Sequence, residues 1–372
     1  MHQNKWLTPT FVVIVVCLIY VLGVFIWAGG DPMAFVLLGT RFSEGNPQGS
    51  EGYDGQFAYQ IALDPFEAAS YLDIPAYRYQ RILYPLLARL LALGQPTLIP
   101  WTLILVNITA IATGTWAAEL ILRDLRVSRW YALVYGLYGG QLLALRTDLH
   151  EPLAYGLVMW AILAWAKERR IWSMVAFGLA ALAKETTLIF WAAYFLYMLT
   201  RRQWRWTIGS AVAVAPFIVY QLLLWSWLGS FGVGSGGVGA TPFSLIPLGG
   251  WLAIAQVKLS AFYKLSVFLK ISLVIVPMSI LPSLTGIWLS LRRLLHGEIH
   301  PFIYCLLLNS LVILFLPAST FREPAAMVRL TMGLVSAMLL YGALARSWRV
   351  LNYSYFWIAT NVLLLKGVAE IG

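Results

Sequence analysis

The chain has little of what a water-soluble protein needs. Only 11% of its 372 residues are charged, and 26 Lys and Arg stand against 16 Asp and Glu. A soluble domain carries about 25% charged residues, and a folded chain in water needs a polar skin. With 60% hydrophobic residues and a mean hydropathy of +0.75, lipid has to be the solvent for most of this surface. Cysteine is nearly missing. Cys17 and Cys305 each sit inside an apolar run, which argues against a disulfide or a cysteine metal site and leaves two small packing residues. Long basic runs are missing too. The formal charge of +10 is spread over small clusters between apolar stretches, so no phosphate-tracking patch forms and nucleic acid is set aside as a partner. What the chain does have is 17 Trp and 19 Tyr, amphipathic rings that favour bilayer interfaces.

Apolar runs bounded by charge predict an all-α polytopic membrane protein of about 11 transmembrane helices, with 10–12 as the range. The runs are centred on 8–28, 98–121, 130–146, 152–166, 171–183, 186–200, 206–228, 267–291, 301–317, 325–345 and 351–368. The first run spans roughly 20 residues, the length a bilayer requires, and no A-x-A cleavage site follows it, so it reads as an uncleaved helix rather than a signal peptide. Lys5, Arg123, Arg126, Arg129, Lys167, Arg169, Arg170, Arg201, Arg202, Arg205, Arg292, Arg293, Arg346 and Arg349 then fall in short loops on one side. The positive-inside rule makes that side cytoplasmic, together with the N-terminus. Only Glu119, Asp124, Glu168 and Glu298 join them there. The carboxylates collect on the other side, which is where chemistry is expected, in a multi-pass protein of the cell (inner or plasma) membrane.

Two extracytoplasmic segments are long. The first, 29–97, carries most of the acids and ends in YQRILYPLLARLLAL at 79–93, apolar on one side and too short for a span, so it reads as an interfacial helix. The second, 229–265, opens with GSFGVGSGGVGATP. No GxxxxGK[ST] or GxGxxG pattern accompanies its glycines, and it reads as a mobile loop. The division expected is 1–230, a transmembrane module with the first loop, and 231–372, a C-terminal transmembrane module with the Gly-rich loop.

Four clusters on the acidic side could carry chemistry. In Gly52-Tyr53-Asp54-Gly55-Gln56, glycines flank a single carboxylate and let backbone and ligand approach it, although Asp-Gly is also a turn signal. Arg146-Thr147-Asp148-Leu149-His150-Glu151 links two runs and is either a solvated loop or a site. Lys184 and Glu185 lie between two short runs, where ionisable groups are costly and point to function, or to a snorkelling lysine paired with its neighbour. Arg322 and Arg329, seven residues and about two helical turns apart, share a face and suit a phosphate. All four fall on one side under a topology set by other residues. A carboxylate would take the proton of an attacking hydroxyl, and the cations would stabilise charge growing on a leaving phosphate.

One span, a long acidic loop with an interfacial helix and many short-looped spans resemble the GT-C glycosyltransferase superfamily. GYDGQFAYQIALDP (52–65), RTDLHEPLAYGL (146–157) and GLAALAKETTLIF (178–190) are similar to first-loop and second-loop segments of its bacterial members. The likeness in architecture covers roughly 1–230. It implies Asp54 as the catalytic base, Asp148, His150 and Glu151 at the head group of acceptor or donor, and Lys184 and Glu185 near the donor phosphate. Tyr53, Gln56, Arg78 and Arg81 join them as substrate- or donor-binding residues. Arg322 and Arg329 align with no motif and rest on charge and topology alone. Many members carry paired acids in the first loop, whereas Asp54 has only Glu51 nearby, so no metal ligand is assigned and a divalent metal stays open.

The function expected is transfer of one sugar, in the manner of the mannosyltransferases of this group, from a polyprenyl-phosphate donor to a glycan, lipid or protein acceptor outside the cytoplasm. Membrane lipids are the other partners. A transporter or flippase for a lipid-linked anion is the competing class, although no internal repeat of the kind transporters show is visible. A non-catalytic accessory subunit on the same scaffold is the third.

Overall fold

The structure is a computed structural model and describes residues 7–237, 239–256 and 261–362. Among them every regular element is helical, and five helices are long and apolar enough to cross a membrane: Pro9–Trp27, Pro96–Asp124, Trp204–Leu228, Phe268–Leu295 and Pro324–Leu344. Pro9–Trp27 shows why lipid must surround them. It buries a narrow stripe of Pro9, Val13 and Cys17 and exposes Phe11, Leu18, Ile19, Leu22, Ile26 and Trp27. In water such a face would be an aggregation site; in hydrocarbon it costs nothing.

Several expected spans have a different form. The 130–146 segment breaks at Leu137–Tyr138 into Ala132–Gly136 and Gly139–Arg146. Arg170–Ala183 and Leu188–Thr200 have 14 and 13 residues, about 20 Å of helix against a hydrocarbon core of about 30 Å. In Phe268–Leu295, Pro277 removes a backbone donor and the coil widens to a π-helical segment over Val276–Ile280, as such insertions do. Of the 351–368 run, positions 363–368 lie outside the described residues, as does Lys5.

Two compact units make up the chain. The first comprises residues 1–137, 141–188 and 209–238. Within it Ile99–Asp124 packs against Pro9–Trp27, Leu83–Leu91 and Glu151–Ala166, and the last packs against Arg170–Ala183. Ala58, Ala62, Ala88, Ala92, Ala110, Ala154 and Ala183 populate the core where these helices meet, around Tyr84, Leu103 and Leu153. Small side chains let helix backbones approach where no hydrophobic driving force against lipid exists. The second unit comprises 138–140, 189–208 and 239–372; in it Leu281–Leu295 packs on Pro301–Leu314, which packs on Met332–Leu344.

Residues 79–93 contain a shorter helix than expected, Leu83–Leu91. It buries Tyr84, Pro85 and Ala88 and exposes Leu86, Leu90 and Leu91, an amphipathic element whose apolar edge faces outward. Arg89 donates to the carbonyls of Ala62 and Leu63, closing the C-terminal end of Gly55–Leu63 where cations are favoured. Arg81 turns inward.

Candidate active site

The first loop folds back on itself around glutamine and glycine contacts. The backbone N–H of Gly39 donates to Gln56 Oε1 at 3.1 Å, and Gln56 Nε2 donates to the carbonyl of Glu51 at 2.7 Å. Tyr53 N–H donates to the Leu37 carbonyl at 2.9 Å. Gln56 therefore holds the loop's own backbone in this structure. Gly55 sits so close to the second loop that a Cβ there would meet the Thr147 carbonyl oxygen at 2.1 Å and Asp148 Cβ at 3.3 Å. The glycine after Asp54 is thus a docking contact between the two loops, beyond the turn its sequence announces.

Asp54 stands at the start of Gly55–Leu63, with Arg78 Nη1 3.0 Å from its Oδ1. The same guanidinium forks onto Asp73, Nε to Oδ1 at 2.7 Å and Nη2 to Oδ2 at 2.8 Å, and lies over the Phe57 ring at 4.1 Å. Burial opposes the charge of Arg78, but the carboxylates of Asp54 and Asp73 outweigh it and hold its pKa above the ordinary value. Asp54 keeps 28% of its side-chain exposure while Asp73 keeps 4%. Asp73 is a site residue the sequence reading left among the loop acids. Its signal was only that it lies five positions before Arg78 and just ahead of a proline-started helix, Pro75–Tyr79.

Deeper in, two buried ion pairs interlock. Lys184 Nζ meets Glu151 Oε1 at 2.7 Å. Arg81 forks onto Glu185, Nε at 2.9 Å and Nη2 at 2.6 Å, and Nη2 also donates to Tyr77 Oη at 2.9 Å. Lys184 and Glu185 are thus not each other's partners, correcting the reading of a locally paired lysine. The backbone supplies the reason. Lys184 is extended, at φ −161° and ψ 125°, between Arg170–Ala183 and the short 3-10 turn Glu185–Thr187, so adjacent side chains diverge. Burial would raise the Glu185 carboxyl; Arg81 overrides it and, with help from Lys184, brings it down to about 2.

His150 lies within electrostatic reach of both pairs, and Asp148 precedes it by two positions. The His150 ring meets the Tyr84 ring edge-on at 5.2 Å, and Tyr84 Oη accepts from Asn107 Nδ2 at 2.8 Å while donating to the Leu103 carbonyl. Burial, then the positive charge of Arg81, depresses His150 to about 3, so the imidazole is neutral. Asp148 is fully buried, in the left-handed backbone region at φ 46°, and neither of its oxygens has a hydrogen-bond partner. Burial raises its pKa well above the carboxylate range, against a weaker opposing pull from Arg146. Arg146 itself donates to the Ala34 carbonyl at 2.6 Å.

The Gly-rich loop, expected to be mobile, is anchored at its start. Gly232 and Val233 N–H groups both donate to Gln221 Oε1, at 2.9 and 3.1 Å. A Cβ on Gly237 would lie 3.0 Å from Arg78 Nη2 and 3.2 Å from Asp73 Oδ2. Glycine here lets backbone lie against an ion pair. Positions 238 and 257–260 of this segment lie outside the described residues.

The structure thus brings together Asp54 and Arg78, Arg81 and Glu185, Glu151 and Lys184, with Asp148 beneath the turn at Gly55. Arg322 and Arg329 belong to the second unit. The expected shared face does not form: Glu323 has extended backbone, φ −104° and ψ 106°, and separates Ala318–Arg322 from Pro324–Leu330. Pro324 starts the second helix, and a residue before proline is pushed out of helical backbone. Among the described residues no group of three or more His, Cys, Asp or Glu is placed to hold a metal ion. No protein-family model, no curated protein and no solved structure matches the chain.

Proposed function

We propose that the chain is a membrane glycosyltransferase of the GT-C kind, with about 11 spans and a cytoplasmic N-terminus in the cell membrane. It would take one sugar from a polyprenyl-phosphate donor and pass it to an acceptor hydroxyl outside the cytoplasm. The observation that carries this reading is the difference among the carboxylates. The side chains of Asp73, Asp148 and Glu151 are nearly or fully buried, whereas Asp54 keeps a solvent-facing edge between two glycines, with Arg78 compensating its charge. A partly exposed, charge-compensated carboxylate suits a general base. It takes the acceptor's proton while the acceptor oxygen bonds to the anomeric carbon. The bond from that carbon to the phosphate oxygen breaks, and the leaving phosphate carries the charge away. Arginine has five donor protons; those of Arg78 beyond its carboxylate contacts are the cationic donors adjacent to Asp54, where the leaving phosphate would be stabilised.

The deciding experiment is sugar transfer by the purified chain in proteoliposomes supplied with a radiolabelled polyprenyl-phosphate sugar and an acceptor extract. Asp54→Asn is expected to lose transfer at least about a hundredfold, the lower range for a general base, while still retaining the donor. Wild-type transfer by that variant would overturn the reading.

One observation favours the transporter alternative. Apolar segments are interrupted at Leu137–Tyr138, at Val276–Ile280 and near Thr331, and broken helices mark transport sites. Movement of labelled donor across the bilayer without any product would select it.

A further inference from the structure

The second unit contains a cleft of about 360 Å³ lined by Arg292, Arg293, Glu298 and Tyr341 on its polar side and by Leu289, Ala345 and Val350. Its two arginines are not equivalent. Arg293 is held, 2.9 Å from Glu298 and over the Tyr341 ring at 5.4 Å. Arg292 lies 5.6 Å from the Trp288 ring centroid, and no carboxylate among the described residues pairs with it. The cleft therefore holds one uncompensated guanidinium beside apolar walls of Leu289, Ala345 and Val350. A volume of this size is that of a small-ligand site.

The helix carrying the arginines says what reaches it. Phe268–Leu295 is one of the helices able to cross a membrane. Leu284, Trp288 and Leu291 are all exposed, at spacings of four and three that align them on one face. Arg292 follows Trp288 by four and ends the same stripe. An exposed tryptophan within the last two turns of such a span is placed near the bilayer interface. Hydrocarbon along a stripe that finishes at a guanidinium has the outline of a lipid with a negative head group. A free anion would use the arginine alone and leave the stripe without a role.

We propose that this cleft binds the phosphodiester head group of an anionic glycerophospholipid, with Arg292 on the phosphate and the acyl chains along Leu284, Trp288 and Leu291. The site is independent of the activity proposed above. The test is native mass spectrometry and thermal unfolding of the full chain in mild detergent. Dioleoylphosphatidylglycerol, dioleoylphosphatidylcholine and inorganic phosphate are added separately.

Phosphatidylglycerol adducts are expected to exceed phosphatidylcholine adducts by about fivefold, the ratio supplied by one arginine at an anionic surface, and to raise the melting temperature. Arg292→Ala and the cleft-filling Ala345→Phe should each remove that preference, while Arg201→Ala, at another helix end, should keep it. Arg292 is exposed, so its replacement leaves folding intact. Ala345→Phe leaves every charge in place and so separates the cleft from bulk electrostatics. Equal retention of both lipids overturns the proposal, as does an unchanged preference in Arg292→Ala or equal stabilisation by inorganic phosphate alone.

Discussion

Lys184 lies 2.7 Å from Glu151, thirty-three positions earlier in the chain, while its neighbour Glu185 is taken by Arg81, 104 positions away. The crossed pairing ties the end of Arg170–Ala183 to the start of Glu151–Ala166 and to the end of the first loop. Both members of the Lys184–Glu151 pair are almost wholly buried. Removing one partner therefore leaves a charge with no solvent. Lys184→Met is expected to destabilise the chain by about 3–5 kcal/mol, whereas the double replacement Lys184→Met with Glu151→Leu should recover most of that loss. A melting series of the single and double variants in detergent decides it; additive losses would mean that the two residues do not couple.

Acid should weaken the first unit through two groups whose folded pKa values are depressed. Glu185 is lowered from 4.5 to about 2, so its contribution is complete above 4.5 and is lost as pH falls towards 2. His150 is lowered from 6.5 to about 3. The unfolded chain therefore binds its proton first, and stability drops as pH falls through that interval. Glu185→Gln should flatten the lower part of the acid limb, and His150→Phe the upper part. A His150→Phe profile parallel to wild type between 6.5 and 3 would place the titration elsewhere.

The two carboxylates on Arg78 should separate folding from access. The Asp73 side chain is nearly buried and takes two of its hydrogen bonds, while Asp54, 3.0 Å from Arg78 Nη1, is partly exposed. Asp54→Asn should therefore change stability by less than about 1 kcal/mol, and Asp73→Asn should cost about 3 kcal/mol. Chemical denaturation followed by tryptophan fluorescence measures both, and a reversed order would remove Asp73 from the role of anchor.

Gly55 carries the close approach between the loops. A methyl group there would lie 2.1 Å from the Thr147 carbonyl oxygen, a backbone atom that cannot swing aside. Gly55→Ala is expected to cost more than about 3 kcal/mol, beyond the usual range for overpacking. Gly23→Ala, at a position with nothing within 4 Å, should be neutral or slightly stabilising. Equal effects would show that the loops can part without loss.

The apolar runs made the helical, lipid-embedded character plain in the sequence, because hydropathy acts locally and each helix satisfies its own backbone. Charge composition likewise marked residues 52–56, 146–151 and 184–185 as places of interest. What it could not reach was partnership. Lys184 beside Glu185 reads as a pair, but the extended backbone at Lys184 sends one side chain to Glu151 at a helix start and the other to Arg81 in the turn between Pro75–Tyr79 and Leu83–Leu91. Arg322 and Arg329 read as one face only if the helix continues, and Pro324 stops it. Long-range contacts such as Gly55 against Thr147 leave no local periodicity, so the reading of Gly-Tyr-Asp-Gly as a turn missed the surface it packs on.

Asp148 gives the sharpest test of the site's electrostatics. It is fully buried, its two oxygens have no hydrogen-bond donor, and it sits at φ 46°. Burial raises its folded pKa above 3.8. The sign is then opposite to that of Glu185: its contribution is complete below 3.8 and is lost as pH rises through the folded value, because the unfolded carboxyl ionises at a lower pH than the folded one. At neutral pH wild-type Asp148 therefore works against folding. Asn is the near-isosteric neutral replacement, and it tolerates left-handed backbone. Asp148→Asn is accordingly expected to be more stable than wild type at neutral pH and to converge with it in acid. A Leu replacement lacks that backbone tolerance and should gain less. Melting curves across pH for wild type, Asp148→Asn and Asp148→Leu measure this. A neutral-pH loss in the Asn variant would mean that Arg146 stabilises the carboxylate more than burial opposes it, and the assignment of a raised pKa would fall.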